Sequence, residues 1–467
     1  MVEETSQETA SGQVLELADI QGTVLRQRPS PYTGAYFLLR VDDPAHGREM
    51  LRRLAPLVAT ATNWWDPPKR AWLNVAISHS GLRRLGVPEA SLDSFPPEFK
   101  AGMAARAATL GDVGDSGPEH WDAPLGSTEV HIALALFAPD DTALQSVLAT
   151  AHQAHANLPG VSVVYRIDTP QLPTGHSQLG FVDGIGEPDI EGSGVADIFR
   201  TGADHYGDPS GFGDPVRAGE FLMGYINQLG QVTPMPEPEV LGRNGTYVAF
   251  RKLHVRVAAF RRYLRDNAAT PDEEELLAAK MIGRWRSGAP LMLAPEHDDP
   301  AIAVDPQRVN DFGYRDQDPR GLRCPLGSHI RRMNPRDSLA GTAVDPSLHR
   351  ALRRGATYGP GLPDGVLDDD GVDRGVVFIF MGTDLARQFE FIKSQWVDDG
   401  EFTGLGAEKD PLIGANDGTG VFTIPRRPVR RRLQEVPRFM TTTGGEYFFM
   451  PGIRALNWIA SVGETSD

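Results

Sequence analysis

His329 lies in the run Cys324-Pro325-Leu326-Gly327-Ser328-His329-Ile330-Arg331-Arg332-Met333-Asn334-Pro335-Arg336-Asp337, where one imidazole is closely followed by three arginines. Imidazole is the commonest protein ligand for metals near neutral pH. A neutral imidazole that binds a metal gains nothing from guanidinium neighbours. A site that also holds an anion does, because the rigid arginine fork matches carboxylates and phosphates. The combination suits a metal carried inside a negatively charged organic cofactor. Taken alone, the run suits a histidine in a basic surface loop just as well, so the rest of the chain must decide.

Two further stretches carry chemistry. In Gly180-Phe181-Val182-Asp183-Gly184-Ile185-Gly186-Glu187-Pro188, glycines flank an aspartate. Such a turn lets the backbone approach a flat ligand and aims the carboxylate away from the chain. An ordinary Asp-Gly turn has the same local sequence. In Leu352-Arg353-Arg354-Gly355-Ala356-Thr357-Tyr358-Gly359, paired arginines enter a glycine and aromatic turn. The alternative there is a solvated helix end with cations near its C-terminal dipole.

The elements that must position these residues come as two pairs of one plan, a short β-rich apolar run followed by a stretch of helical periodicity. In the first pair, residues 35–41 lead into 47–57 and 130–137 into 141–152. In the second, 246–253 lead into 255–267 and 375–381 into 384–396. Further strands fit at 71–78, 161–168 and 445–451. Helices on one face of an antiparallel sheet, two per half, make an α+β protein of two ferredoxin-like domains. The boundaries expected are 14–190 and 218–467, joined by a Gly, Asp, Pro and Ser-rich connection at 191–217. The long segments 95–122 and 291–320 line a site or decorate a surface.

Composition narrows the function. A chain of 467 residues with 40% hydrophobic content can bury about two to three cores. Its formal net charge of -16 disfavours nucleic acid and anionic membrane as partners. A single cysteine, Cys324, excludes an intramolecular disulfide and any cysteine-based zinc or iron–sulfur site. Residues 1–13 are acidic and polar, without the pattern of a secretory signal, and no run is long and apolar enough to span a bilayer, so a cytoplasmic protein is expected. His152 and His155, three apart on a polar helix end, read as solvated residues.

Together, the glycine-flanked Asp183, the His329 run and the Arg353 turn resemble the dye-decolourising peroxidase family, in its longer bacterial and fungal branch. The resemblance covers nearly the whole chain. It includes Asp19-Ile20-Gln21-Gly22-Thr23-Val24-Leu25, Gly81-Leu82-Arg83-Arg84-Leu85-Gly86-Val87 and Gly219-Glu220-Phe221-Leu222-Met223-Gly224-Tyr225. It continues through Arg243-Asn244-Gly245-Thr246-Tyr247 and Gly444-Gly445-Glu446-Tyr447-Phe448-Phe449-Met450-Pro451.

The resemblance implies two ferredoxin-like domains with one haem b in the C-terminal domain, facing the inter-domain region. It implies a peroxidase that reduces hydrogen peroxide and oxidises phenolic compounds, dyes or Mn2+ by one-electron steps, as a monomer or small homo-oligomer. His329 falls on the axial haem ligand, Asp183 on the distal acid and Arg353, the first of its pair, on the distal arginine. Gly184, Ile185, Asn334, Pro335 and Arg336 would border the ring, with Arg336 pairing a propionate. Val376 and Phe378 match the apolar distal wall, although an ordinary role in a buried strand accounts for them equally. Asp410 is the candidate to accept the second N–H of His329. Tyr358 and Trp396 match relay positions for large reductants.

These roles are chemically coherent. A base opposite the iron can move a proton from one peroxide oxygen to the other, and a permanent cation stabilises charge on the leaving oxygen. An aspartate that must be ionised, with a free pKa near about 4, implies an acidic optimum. Gly175-His176-Ser177-Gln178-Leu179 departs from the acidic and basic pair that the family often has before its glycine turn. The rival reading is a haem-binding protein for haem or iron handling, which has no use for a base and a cation opposite the iron.

Overall fold

The computed structural model describes residues 13–28, 30–62, 71–194 and 215–463. Most of the connection 191–217 and of the N-terminal stretch 1–13 lies outside the described residues. Among those described, no helix is long and apolar enough to cross a membrane.

The first half runs β1 (Thr33–Val41), α1 (Pro44–Leu54), β2 (Trp72–Ser78), β3 (Ile132–Ala138), α2 (Asp141–His155) and β4 (Val161–Asp168). Its strands are apolar and the helix starts are specified locally. Asp43 caps α1 by accepting the amides of Ala45 and His46, with Pro44 as the first helical residue, and Asp140 caps α2 through the Ala143 amide. The strand order β4-β1-β3-β2 is antiparallel throughout, which is the ferredoxin-like order.

The second half repeats it with β5 (Thr246–Val255), α3 (Val257–Asp266), α4 (Pro271–Ile282), α5 (His329–Met333), β6 (Leu352–Arg353), β7 (Ala356–Tyr358) and β8 (Gly375–Gly382). After β8 come two π-helical segments, Ala386–Glu390 and Ile392–Val397, where periodicity predicts one α-helix over 384–396. The hairpin β9 (Gly420–Ile424) and β10 (Arg431–Val436) follows, then β11 (Met440–Met450) and α6 (Ile453–Ser461). The order β11-β5-β8-β6 matches the first half, with β7 also on β8.

The two sheets are one. β2 pairs with β11 through Ser78 with Phe448 and Ile77 with Phe449, giving a nine-stranded sheet. Strand alternation gives this sheet two apolar faces. One packs under helices through Phe37, Leu39, Leu51, Leu134, Leu136 and Val147. The other folds on itself, so Tyr36 and Leu38 of β1 share a core with Val248 and Phe250 of β5, and the Tyr36 and Phe250 rings meet edge to face at 5.6 Å. The chain end returns to its beginning, since α6 packs on α1 and the Ile453 amide donates to the Asp19 carbonyl at 2.8 Å.

Candidate active site

A cavity of about 330 Å³ opens on the helix-side face of the second half's sheet, where Leu253 and Val255 of β5 and Val376 and Phe378 of β8 form part of its wall. This is in the range of about 300–1,000 Å³ typical of small-molecule sites. Val376 and Phe378 are half-buried toward it, while Val377 and Ile379 point into the inter-sheet core. That alternation puts both residues on the cavity wall, and Phe378 also packs on the core beneath the helices.

His329 lines the cavity at the first residue of α5. Its turn is fastened to the end of α4. Ser328 donates its hydroxyl to the Lys280 carbonyl at 2.5 Å, and Gly283, at φ +102°, ends that helix where a Cβ would come within 2.3 Å of the Ile330 side chain. The His329 Nδ1 lies 2.9 Å from an oxygen of Asp410, which is fully buried. The other Asp410 oxygen accepts the amides of Leu412 and Ile413 at 2.9 and 3.0 Å. Burial pushes the Asp410 carboxyl up, but the charge and hydrogen bond of His329, the Ile413 amide and Arg332 outweigh it and hold it below the usual carboxylate range. With Nδ1 engaged, Nε2 is the ring nitrogen left without a protein partner among the described residues.

The arginines that follow His329 divide. Arg331 bonds the carbonyls of Asp318 and Cys324 and sits 4.3 Å over the Tyr314 ring. Arg332, with no exposure, donates to the carbonyls of Gly327, Trp396, Asp399 and Glu408. Both serve the fold. Only Arg336 of the three lines the cavity, held by the carbonyls of Asn310 and Phe312 at 2.8 and 2.9 Å and stacked 3.9 Å over the Phe312 ring. Asn334 lines the cavity as well, whereas Pro335 is buried and not part of the wall.

Asp183, Gly184 and Ile185 enter the same cavity from the first half's closing turn. Gly184 and Gly186 have φ of +81° and +84°, which the turn requires, and Asp183 is exposed with one carboxylate oxygen accepting the Gly184 amide at 2.7 Å. Arg353, in β6, also lines the cavity, and its neighbour Arg354 turns into the core toward the carbonyls of Thr23 and Val24. Between them lies Glu187, with 4% of its surface exposed. Glu187 and Asp183 raise the pKa of Arg353, Glu187 being the larger influence, against a smaller opposing effect of burial.

The relay candidates are both buried and neither is part of the cavity wall. Tyr358 follows the wall residue Thr357 and donates its hydroxyl to Asp373 at 3.0 Å. Trp396 is packed by Phe391, Phe402 and His349, one residue before the wall residue Val397. Sequence reasoning does not pick out Glu187, Arg284, or the buried pair of Arg251 and Asp112, all close to or in the wall. Glu187 had a signal, since it stands four residues after Asp183 in the same motif.

Residues 19–171 match the family described as the DyP dimeric alpha+beta barrel domain. The dye-decolorizing peroxidase AauDyP1 of Auricularia auricula-judae is 32% identical over 469 residues, which is 95% of this chain and 86% of that protein. The chain belongs to the dye-decolourising peroxidase family. A solved dye-decolorizing peroxidase in complex with 2,6-dimethoxyphenol superposes with a TM-score of 0.80 at 28% identity, covering 96% of this chain and 100% of that one. The deferrochelatase of Yersinia pestis matches over 136 residues only, 29% of this chain and 25% of its own length, at 32% identity.

Dye-decolourising peroxidases depend on haem, and the residues of this cavity fit that group. They comprise one imidazole with a ring nitrogen to spare and its other nitrogen fixed by a carboxylate, together with apolar walls from Ile282, Val376, Phe378, Leu412 and Ile413. Arg336 adds a cation beside them, suited to an anionic edge.

Proposed function

We infer that this chain is a peroxidase that reduces hydrogen peroxide and takes electrons singly from phenolic compounds and dyes, with one haem b between His329 and the Asp183 and Arg353 side of the cavity. The observation that carries this reading is the meeting of two sets of groups on one cavity. A carboxylate-fixed imidazole comes from the second half, and an exposed aspartate with an anchored arginine comes from the turn and β6.

Bound haem supplies an iron centre that peroxide oxidises and that aromatic reductants return to rest. The chain's residues do the rest. His329 would hold the iron, its Nε2 being the ring nitrogen without a protein partner among the described residues, and Asp410 would accept the Nδ1 proton, fixing the ring and making it a more basic ligand. Asp183, as carboxylate, takes the proton from the near oxygen of peroxide and returns it to the far oxygen as the O–O bond breaks. Arg353 faces the negative charge that grows on that leaving oxygen. Arg336 would pair an anionic edge of the cofactor with Asn334 beside it, and Val376, Phe378 and Ile185 would exclude water from its neighbourhood.

Reductants too large for the cavity need a path for electrons through the protein. Tyr358 supports such a path because its neighbour Thr357 is in the wall and its hydroxyl bonds Asp373, whose side chain is 55% exposed. Trp396 is the second position for this role. The alternative reading, a carrier of haem or iron, gives Asp183 and Arg353 nothing to do.

Stopped-flow mixing of the haem-loaded protein with hydrogen peroxide tests the proposal. A change in the haem absorption band within milliseconds to seconds at mildly acidic pH, followed by return on adding a phenol, is expected. A band that stays unchanged rejects it.

A further inference from the structure

We propose that Glu187 is the positioning residue for Arg353, holding its guanidinium in the orientation that the peroxide step requires. The inference rests on the peroxidase reading above and adds to it a residue that touches neither peroxide nor haem in that reading.

The geometry is a buried clamp on both ends of one residue. One oxygen of Glu187 accepts the backbone N–H of Arg353 at 2.9 Å, and the other lies 2.8 Å from Nη2 of the same residue. Together these contacts fix the main chain and the tip of the side chain, which selects one path for the torsions between them. The Ile185 carbonyl takes a second bond from Nη2 at 3.3 Å. Nη1 and Nε are left without an acceptor among the described residues, in a side chain that lines the cavity.

Arg354 completes the clamp from behind. Its Nη1 lies 3.4 Å from Glu187 and donates to the Arg353 carbonyl at 2.7 Å, while Nε and Nη2 reach the carbonyls of Thr23 and Val24. Burial lowers its pKa to about 10. A buried carboxylate with two guanidinium partners is poor value for stability compared with apolar packing, because each charge must leave water. Such a group is better explained by what it orients. Glu187 also stands four residues after Asp183, so one short turn carries the proposed proton-transfer group and the anchor of the proposed cation. A shift of that turn would move both together.

The test uses Glu187→Gln, Arg353→Ala and the double variant, each loaded with haem, with Glu187→Asp as a variant that keeps the charge. Glu187→Gln should lower the rate constant for reaction with peroxide about tenfold or more, toward the Arg353→Ala value, while KM for a phenol and the haem affinity stay within about twofold. The double variant should be no slower than Arg353→Ala, because the two changes remove one function. Glu187→Asp should recover part of the rate, and if the glutamine variant does not fold it carries the test, with a loss of about threefold expected. In the haem-free proteins, the double variant should melt no lower than the more damaged single one.

A wild-type peroxide rate in a folded, loaded Glu187→Gln protein, or losses that multiply in the double variant, would overturn the role of Glu187 and leave Arg353 standing. An unchanged rate in Arg353→Ala would overturn both.

Discussion

Asp410 and His329 come from segments about eighty residues apart, yet a carboxylate oxygen of one lies 2.9 Å from Nδ1 of the other. The pair is asymmetric in its surroundings, since Asp410 has no exposure and three protein donors while His329 lines the cavity. The acid is therefore built in and the imidazole is the member presented outward.

Replacing Asp410 with asparagine keeps the shape but removes the charge behind the imidazole. Peroxide activity is expected to fall about 10–100-fold, the usual effect of losing a carboxylate behind a metal-bound histidine. The iron midpoint potential should rise, because a less basic ligand stabilises the ferric state less. Spectroelectrochemistry reads the potential, and an unchanged value would show that the pair has no electronic role.

His329→Ala and Arg353→Ala should separate binding from chemistry. The first is expected to abolish axial imidazole ligation, seen in the absorption and paramagnetic resonance spectra of the loaded protein. The second should retain haem and slow the peroxide reaction by about 10²-fold or more, as for other lost donors at developing charge. Equal and mild effects in the two variants would contradict the site.

Arg332→Ala should unfold the region around the cavity although the side chain does not reach it. Its donors satisfy four backbone carbonyls, including those of Trp396, Asp399 and Glu408 on the segment that leads to Asp410. Leaving buried acceptors unpaired costs about 1–3 kcal/mol each, so a loss above about 3 kcal/mol is expected in urea unfolding. A loss below about 1 kcal/mol would mean that water replaces the guanidinium.

Glu446 should make a contribution to stability that falls as pH rises from mildly acid to mildly alkaline, opposite in sign to that of the buried histidines. Burial raises its pKa to about 8 from 4.5, against the amides of Tyr447 and Met103, so the folded chain keeps a proton that the unfolded chain releases. A raised carboxyl pKa makes the folded state the better proton binder between those values. This contribution is thus intact below about pH 4.5 and declines until about pH 8, by on the order of 5 kcal/mol. Glu446→Gln should flatten the slope, measured by urea unfolding at pH 5 and pH 8; a slope equal to wild type would place the titration elsewhere.

The repeated βα units were legible because apolar β-rich runs and helix periodicity are local, although the helix expected over 47–57 starts three residues earlier, at the Asp43 cap. β6 and β7 were not, being too short for any periodicity and paired only because β8 lies beside them. The hairpin of β9, Gly-Val-Phe-Thr-Ile, and β10, which opens on two arginines, carries no strand in the sequence reading, and its pairing brings Phe422 and Leu433 to a core formed mainly by α3 and α4. Within the site, the motifs placed His329, Asp183 and Arg353 on one cavity. They singled out Arg336 and left Arg331 and Arg332 without partners, because three of the four carbonyls that Arg332 reaches lie more than sixty residues away. Two of the three cations after His329 are therefore structural, and Arg336 is the one on the cavity wall.

The seam between β2 and β11 makes the molecule an internal pseudo-dimer whose two copies have gone separate ways. In the first copy, the helix side of β3 is closed by Leu144, Val147 and Leu148 of α2. In the second, the same side of β8 opens at Val376 and Phe378, and π-helical turns stand where a packed helix would be. One copy thus lends the chamber a turn and the other gives it most of its walls. Substitutions that reshape the chamber for a new reductant at Val376 and Phe378 change one face of β8 and leave its backbone pairing with β5 in place.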